Sequence, residues 1–210
     1  MTNGMDTQIA GKKTIANWQA LRPKLVGNRD PDLWAKVYKD YFVARLRTRY
    51  IRPIELLQKH DTLQGEGFAI SSIQCALIEF LAATVIGKSY RFIRRGQSLG
   101  QFEYNKSAEL FKDFLSQQQP FKTYFSPEAA EDFYKSIRCG ILHEAATKNG
   151  WRIHAGHARG TVIDRTNKIL YRNGLQNLLK HFTKEYGRRL QMERALQEAF
   201  IRKYDKLAEG

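Results

Sequence analysis

The chain has 210 residues, of which 35 are Lys or Arg and 21 are Asp or Glu, so its net charge is +14. Its hydrophobic fraction of 42% excludes a mainly disordered chain, since a protein of this length can bury one core without disulfides or bound metals. The charge excess indicates a polyanionic partner, nucleic acid or anionic lipid, but it does not distinguish an enzyme from a binding protein.

The N-terminal segment is polar and ends in a run of turn-forming residues, GNRD. We therefore expect an irregular tail over residues 1–29, with one short helix around residues 15–21. A single helical domain is expected to follow over residues 30–210.

The first long helix of that domain has a clear start signal. Asp30 provides an N-cap and Pro31 a proline at the first helical position, and apolar residues then recur at helical spacing. This pattern predicts a helix to about Arg49, which Pro53 should break.

The most apolar stretch of the chain, residues 68–86, is followed by Gly87 and is almost long enough to span a membrane. Glu79 lies near its middle, and a carboxylate is costly inside hydrocarbon. We therefore expect the buried helix of a soluble domain and no membrane association.

The second half of the chain alternates between helix and strand patterns. Amphipathic helices are predicted over residues 106–118 and 127–146, the latter closed by Gly150. Short β-branched and aromatic runs predict a small β-hairpin or meander at about residues 151–172, before a long last helix over residues 175–200. The expected fold class is mainly α, a helical bundle with a small β insertion.

The basic residues are concentrated in three segments, residues 34–59, 88–106 and 138–210, with net charges of +5, +4 and +8. One interpretation is that these are solvated faces that keep the protein soluble. The other is a surface that contacts several phosphates. For that interpretation, the candidate nucleic-acid-binding residues are Lys88, Arg91, Arg94, Arg95 and Arg152. Nearby aromatic residues that could stack on unpaired bases are Tyr90, Phe92, Trp151 and Tyr171.

The candidate catalytic residues are Arg138 and His143, which lie on the predicted helix 127–146. Five helical residues separate them by about 140° and by a rise of about 7.5 Å, so both can line one broad face. An imidazole can transfer a proton near neutral pH, and a guanidinium can hold phosphate oxygens. The pair therefore suits RNA cleavage without metal, in which the 2′-hydroxyl of the substrate is the nucleophile.

The string RCGILHEA at residues 138–145, followed by KNGWRI at residues 148–153, resembles uncharacterised bacterial members of the higher eukaryotes and prokaryotes nucleotide-binding (HEPN) superfamily. The likeness extends over about residues 66–205, with its specific part in this string. It implies an α-helical bundle that forms a two-fold homodimer and brings two copies of the motif together. Many such proteins are metal-independent RNases of toxin–antitoxin or phage-defence systems, and others are catalytically silent.

The resemblance also implies a role for each motif residue. His143 would act as the acid and base, Arg138 would hold phosphate, and Glu79 would support them from the neighbouring helix. The sequence departs from the family at Cys139, because active members commonly have a polar residue at that position. The implied partners are RNA or another nucleic acid, a second copy of the chain, and an antitoxin or operon partner.

Two other interpretations of the same residues remain open. Arg138 and Glu79 could form a buried structural pair that leaves His143 as a helix-face residue of a silent binding module. Cys139 and His143 could instead join His154 and His157 around a zinc ion. The leading interpretation requires no metal and no cofactor.

The two cysteines, Cys75 and Cys139, are too few for a disulfide framework, and the first dozen residues lack the apolar stretch of an export signal. We therefore expect a cytoplasmic protein.

Overall fold

The computed structural model describes residues 6–60, 65–156 and 160–209. The fold is mainly α, as predicted, with 66% of the residues in helices and only small strands. The chain forms two compact units. The first unit comprises the described residues within Met1–Arg52, Leu81–Asn105 and Lys184–Gly210, and the second those within Pro53–Phe80 and Lys106–Thr183.

Ten α-helical segments are present in the described part of the chain, some of them joined by π-helical turns. In chain order they are α1 (Ile15–Leu25), α2 (Pro31–Val37), α3 (Ala44–Leu46), α4 (Arg52–Lys59), α5 (Glu66–Ile86), α6 (Ser107–Gln117), α7 (Pro127–Phe133), α8 (Cys139–Glu144), α9 (Arg172–Met192) and α10 (Arg194–Ala208). The π-helical segments are Tyr38–Val43, Arg47–Ile51 and Tyr134–Arg138, and Phe121–Thr123 forms a 3₁₀ turn.

Seven short strands form three small sheets among the described residues. The strands are β1 (Gln8–Ala10), β2 (Lys13–Thr14), β3 (Ser89–Tyr90), β4 (Glu103–Tyr104), β5 (Arg152–His154), β6 (Ile163–Asp164) and β7 (Ile169–Tyr171). β1 pairs with β2 antiparallel, β3 pairs with β4 parallel, and the third sheet has the order β5-β7-β6.

The short helix predicted around residues 15–21 is present in the N-terminal segment as α1, but the rest of the described segment is more regular than the predicted irregular tail over residues 1–29. The segment contains β1, β2 and α1, and Thr14 and Asn17 form a capping box at the start of α1. Trp18 is buried and donates its indole N–H to Asp205 on α10, over 2.9 Å. The segment is ordered because its few apolar side chains, at helical spacing, pack against an element near the other end of the chain.

The prediction that Pro53 breaks the first long helix is also wrong. Helical backbone continues from Pro31 to Lys59, with Pro53 inside α4. A proline lacks an N–H and its ring clashes with the carbonyl four residues earlier. The π-helical segment Arg47–Ile51 shifts the hydrogen bonds just before it, since the N–H of Arg52 reaches the carbonyl of Arg47, five residues back.

The predicted long last helix is instead two helices. Glu193 adopts an extended conformation and ends α9, and α10 begins at the next residue. The carboxylate of Glu193 accepts two hydrogen bonds from Arg189 in the preceding turn, at 2.7 and 2.9 Å. A pattern of apolar residues at helical spacing cannot detect such a break, because the spacing resumes on the other side.

The core of the second unit is rich in phenylalanine. The rings of Phe111 and Phe133 stack with centroids 5.9 Å apart, and Phe182 contacts Phe114 and Phe121 at 5.0 and 5.5 Å. These contacts join α6, α7 and the first half of α9.

The β insertion is only partly as predicted. β6 and β7 form the antiparallel hairpin, but β5 pairs with β7 in parallel, so the sheet is not a meander. β7 is buried along its whole length.

The apolar helix is α5, and by length and composition it is the one described helix that could cross a membrane. The core helix of a soluble protein passes the same test, and 56% of the most apolar window of α5 is buried within the structure. In its first half, Gln74 is buried and donates hydrogen bonds to the carbonyl of Arg172 and to the side chain of Gln176, at 2.8 and 3.2 Å. Both partners belong to the second unit.

Candidate functional site

Arg138 is the last residue of the π-helical segment that joins α7 to α8. Its guanidinium lies 3.4 Å from a carboxylate oxygen of Glu79 on α5, and 5.2 Å from the centroid of the Tyr134 ring. The side chains of Arg138 and Glu79 are only 18% and 21% exposed. The structural pair that the sequence offered as an alternative is therefore present, and it is half-buried.

The electrostatics of this pair keep the arginine charged. Burial of the Arg138 guanidinium lowers its pKa, but Tyr134 and Glu79 raise it, and the net pKa lies above the ordinary value. The Cys75 thiol, one helical turn before Glu79, is fully buried, and this burial raises its pKa to about 12. Arg138 is thus a permanent cation beside a thiol that stays protonated.

His143 lies on α8, five residues after Arg138, and it is exposed. Within the described ranges it forms no hydrogen bond or ion pair, so its ring is open to a molecule in solution. The helix ends directly afterwards, because Ala145 adopts the left-handed conformation with φ of +51°. This end comes before Gly150, the residue that the sequence analysis expected to close the helix.

The sequence analysis missed a hydrogen-bond network on the inner side of the same helix. The carboxylate of Asp132 accepts from Ser136 at 2.6 Å and from the indole N–H of Trp151 at 3.0 Å. Asn149 donates to the Ser136 hydroxyl at 2.9 Å. Asp132 and Ser136 are one helical turn apart, and this spacing could have predicted their hydrogen bond. Their partners Asn149 and Trp151 could not be identified from the sequence.

The loop after α8 folds back on the helix at Gly140. A Cβ at this position would lie 2.5 Å from the carbonyl oxygen of Ala146, so only glycine allows the close approach. The N–H of Lys148 donates to the carbonyl of Ser136 at 2.8 Å. Residues 138–153, which include the two strings that resemble the HEPN superfamily, therefore form one compact local structure. In it Arg138 contacts Glu79, and His143 is exposed.

The residues proposed for zinc are not brought together. Among the described residues there is no group of three or more His, Cys, Asp and Glu side chains that could hold a metal ion. Cys139, His143 and His154 therefore do not form such a group, and His157 lies outside the described residues. Cys139 is half-buried next to Arg138.

The candidate nucleic-acid-binding residues belong to different units. Lys88, Arg91, Arg94 and Arg95 lie in the first unit, in the segment that we name the basic loop, residues 88–105. Arg152 is exposed on β5 in the second unit, where it donates to the carbonyl of Asn167 at 3.3 Å.

The base of the basic loop is closed by an ion pair. Arg91 contacts Glu103 at 2.9 Å, and the same carboxylate accepts the N–H of Gly100 at 2.8 Å. The Gly100 N–H and Arg91 together hold the pKa of Glu103 below its ordinary value. Lys203 on α10 is buried and donates to the carbonyl of Lys88 at 3.1 Å, which fixes the start of the loop.

The tip of the loop is a turn that presents two arginines. The N–H of Arg94 donates to the side chain of Gln97 at 3.1 Å, and the N–H of Gln97 donates to the carbonyl of Arg94 at 3.0 Å. Gly96 has a φ of +83° in this turn. Arg94 and Arg95 are exposed, and in the part of the chain that is described neither forms an ion pair.

Of the four aromatic residues proposed to stack on bases, two are accessible. Phe92 and Tyr90, in the basic loop, are 72% and 54% exposed. Trp151 and Tyr171 are buried, so the expectation that they stack on bases is wrong for both. All four aromatic residues lie near basic residues in the sequence. Trp151 directly precedes β5 and Tyr171 ends β7, and both side chains are buried in the second unit.

Comparison of the chain with protein-family models, with curated proteins and with solved structures finds no match.

Proposed function

We propose that this protein binds RNA through the basic loop. The observation that carries the proposal is that exposed rings and unpaired guanidinium groups occur together in one short, hydrogen-bonded segment. Phe92 and Tyr90 offer ring faces for stacking, and Arg94 and Arg95 offer charge to phosphates. Stacking on aromatic side chains, combined with cationic contacts, is how proteins hold unpaired nucleotides.

The order of residues in the loop favours nucleic acid over a lipid surface. A loop or helix that enters a bilayer buries apolar residues and keeps its cations at the headgroups. Here the tip itself is polar, with Arg94 to Gln97 at the turn, and Phe92 and Phe102 lie nearer the strands. This arrangement suits a backbone of phosphates that passes over the tip while bases reach the rings.

The proposal extends to cleavage, with Arg138 and His143 as the catalytic residues. His143 is exposed and can exchange a proton with a bound substrate, and Arg138 keeps its charge. The resemblance of residues 138–145 and 148–153 to uncharacterised members of the HEPN superfamily, in which many proteins are ribonucleases, supports this assignment. The 2′-hydroxyl gives its proton to His143 and attacks the adjacent phosphorus. The bond from phosphorus to the 5′-oxygen of the next nucleotide breaks, and that oxygen takes the proton from the His143 imidazolium. Arg138 stabilises the charge that develops on the phosphate oxygens. The proposal includes a homodimer in the cytoplasm.

A second candidate function is an RNA-binding or partner-binding module without catalysis. The Glu79–Arg138 ion pair favours it, because the carboxylate competes with phosphate for the guanidinium. The continuous helix formed by α7, Tyr134–Arg138 and α8, residues 127–144, is named the motif helix here. The hydrogen bonds of Asp132 and Ser136 give it a structural role that needs no substrate.

RNA binding is tested by fluorescence anisotropy with a single-stranded oligoribonucleotide at several salt concentrations. Each phosphate contact contributes about 0.7 to the slope of log K against log salt for a single strand, so Arg94→Ala should lower the slope by about that amount. Lys122→Ala is the matched control, since this lysine is exposed and lies outside the three basic segments. Binding that does not depend on salt, or an equal effect of both variants, would contradict the proposal.

Cleavage is tested separately, with the same RNA in EDTA. The wild-type protein should cut the RNA and His143→Ala should not, while both bind it equally. His181→Ala, which alters another exposed histidine, is the control and should remain active. If wild type and His143→Ala give the same background, the protein is the non-catalytic module.

A further inference from the structure

A cleft of about 440 Å³ opens in the first unit. It lies between the end of α1, residues 26–29 and the first half of α10. Its volume falls within the range of about 300–1,000 Å³ that is typical of small-molecule sites.

Four arginines line this cleft, and two of them are already neutralised. Arg22 contacts Asp205 at 2.9 Å, and Arg194 contacts Glu198 at 2.7 Å. Arg29 and Arg202 also line the cleft, and neither forms an ion pair within the described chain. The cleft therefore has an excess of two positive charges after its own ion pairs are counted.

Arg202 has a buried donor that no described group accepts. Its guanidinium lies over the ring of Phe102, 4.3 Å from the centroid, which fixes the plane of the group. Its Nε is buried and has no hydrogen-bond partner among the described residues. The terminal nitrogens of Arg202 also form no hydrogen bond within the described chain, and they are the donors that an anion in the cleft can contact.

The rest of the lining is largely apolar. Val26 and the half-buried Ile201 contribute exposed carbon atoms, and the buried Leu25 and Trp34 lie beneath them. The indole N–H of Trp34 donates to the carbonyl of Asn28 at 2.9 Å. One part of a ligand would therefore meet carbon atoms while another part meets the guanidinium groups.

We infer that this cleft binds a phosphate monoester attached to an apolar or planar group, the chemistry of a mononucleotide. A phosphate monoester carries a charge of about −1.5 to −2 at neutral pH, which balances the two unpaired guanidinium groups. A phosphodiester carries only one charge and matches the cleft less well. Planar guanidinium groups also suit phosphate oxygens, because they donate two parallel hydrogen bonds. The inference does not depend on the proposed RNA binding by the basic loop.

The test is isothermal titration calorimetry with AMP, adenosine and inorganic phosphate on the full chain. AMP should bind with one site per chain, and adenosine and phosphate alone should each bind about tenfold more weakly or worse. Arg29→Ala and Arg202→Lys should each weaken AMP binding by about tenfold. The matched control is Arg188→Ala, which removes an exposed arginine outside the cleft that pairs with Glu185.

A second experiment distinguishes two sources of the phosphate monoester, the 5′ end of an RNA and a free mononucleotide. If a 5′-phosphorylated oligoribonucleotide binds more tightly than its 5′-hydroxyl form, and Arg29→Ala removes the difference, the source is an RNA end. If only AMP responds to Arg29→Ala, the source is a free mononucleotide. Absence of saturable binding by either, or equal binding by wild type and Arg29→Ala, would overturn the inference. Arg94→Ala should leave AMP binding unchanged, so failure of RNA binding by the basic loop would not affect this result.

Discussion

The carboxylate of Glu79 lies 3.4 Å from the guanidinium of Arg138. Through this contact the motif helix is attached electrostatically to the apolar helix α5. Both partners belong to the second unit, and under the proposed cleavage the Glu79 carboxylate competes with the substrate phosphate for Arg138. Its removal should therefore have opposite effects on stability and on RNA binding at Arg138.

Glu79→Ala should destabilise the protein by about 1–3 kcal/mol, because it leaves a half-buried guanidinium without its counter-charge. The free energy of unfolding is measured by urea denaturation. The matched control is Glu144→Ala, whose carboxylate also lies 3.4 Å from its partner, Lys148, but in an exposed pair. Such exposed pairs contribute about 0–1 kcal/mol. If both variants lose the same free energy of unfolding, the burial of the Glu79–Arg138 pair does not add to its contribution to stability.

Cys75 should make the protein less stable at alkaline pH. The thiol has an ordinary pKa of 9.0, and in the folded protein burial raises its pKa to about 12. Between these values the unfolded chain loses its proton and the folded chain keeps it. The free energy of unfolding therefore falls as pH rises through this window, by up to about 1.4 kcal/mol per pH unit.

The measurement is the slope of unfolding free energy against pH, from about pH 8 to about pH 10.5. Cys75→Ala should reduce this slope, whatever its effect on stability at neutral pH. Ser71→Ala, which alters a buried side chain of the same helix that has no thiol, is the control and should keep the wild-type slope. The buried Tyr186 and Tyr204, whose pKa values burial also raises, contribute equally in all three proteins. An unchanged slope in Cys75→Ala would show that this thiol does not titrate as proposed.

Asp132 should be more important for stability than its position on a half-exposed helix face indicates. Asp132→Ala leaves the Ser136 hydroxyl and the indole N–H of Trp151 without their acceptor. Unsatisfied polar groups of this kind cost about 1–3 kcal/mol. Asp113→Ala, which removes an exposed carboxylate on α6, is the control and should change stability by less than about 0.5 kcal/mol. If urea denaturation gives the same midpoint for both variants, the hydrogen bonds of Asp132 do not stabilise the protein as predicted.

The parts of the fold that the sequence predicted correctly depend on local interactions. Asp30 caps α2 as expected, because its side chain accepts the N–H of Asp32, two residues later. α5 was predicted within two residues at its start and to its last residue, because its apolar run lies between glycines.

The parts that were predicted wrongly depend on distant partners. Trp18 is held by Asp205, which is 187 residues away, and no local pattern in a polar segment reveals such a partner. The parallel pairing of β5 with β7 likewise depends on packing rather than on turn residues. At the candidate site, Arg138 and Glu79 were anticipated as a pair, whereas Asn149 and Trp151 were not recognised as partners of the motif helix.

Phe92 should contribute to RNA binding through stacking, so its effect should depend on the form of the RNA. Phe92→Ala should weaken binding to a single-stranded oligoribonucleotide by about 1–3 kcal/mol. Binding to an RNA duplex should change much less, because duplex bases are already stacked on each other. Phe68→Ala, which alters an exposed phenylalanine outside the basic loop, is the control and should affect neither. An equal loss on single strands and duplexes would indicate that the ring supports the loop and does not contact bases.

The proposed cleavage chemistry determines the ends of the products. Because the attacking nucleophile is the 2′-hydroxyl of the substrate, the 5′ fragment should end in a 2′,3′-cyclic phosphate and the 3′ fragment should begin with a 5′-hydroxyl. DNA and RNA with 2′-O-methyl groups should bind but remain uncut, because neither has a free 2′-hydroxyl. Mass spectrometry of the fragments identifies the ends.

These products also provide a test that contamination cannot easily imitate. Arg138→Lys keeps the charge but loses the planar pair of donors, so it should cut more slowly than wild type and yield the same ends. Fragments with a 5′-phosphate and a 3′-hydroxyl would require water or another nucleophile. They would exclude the mechanism assigned to Arg138 and His143, even if His143→Ala were inactive.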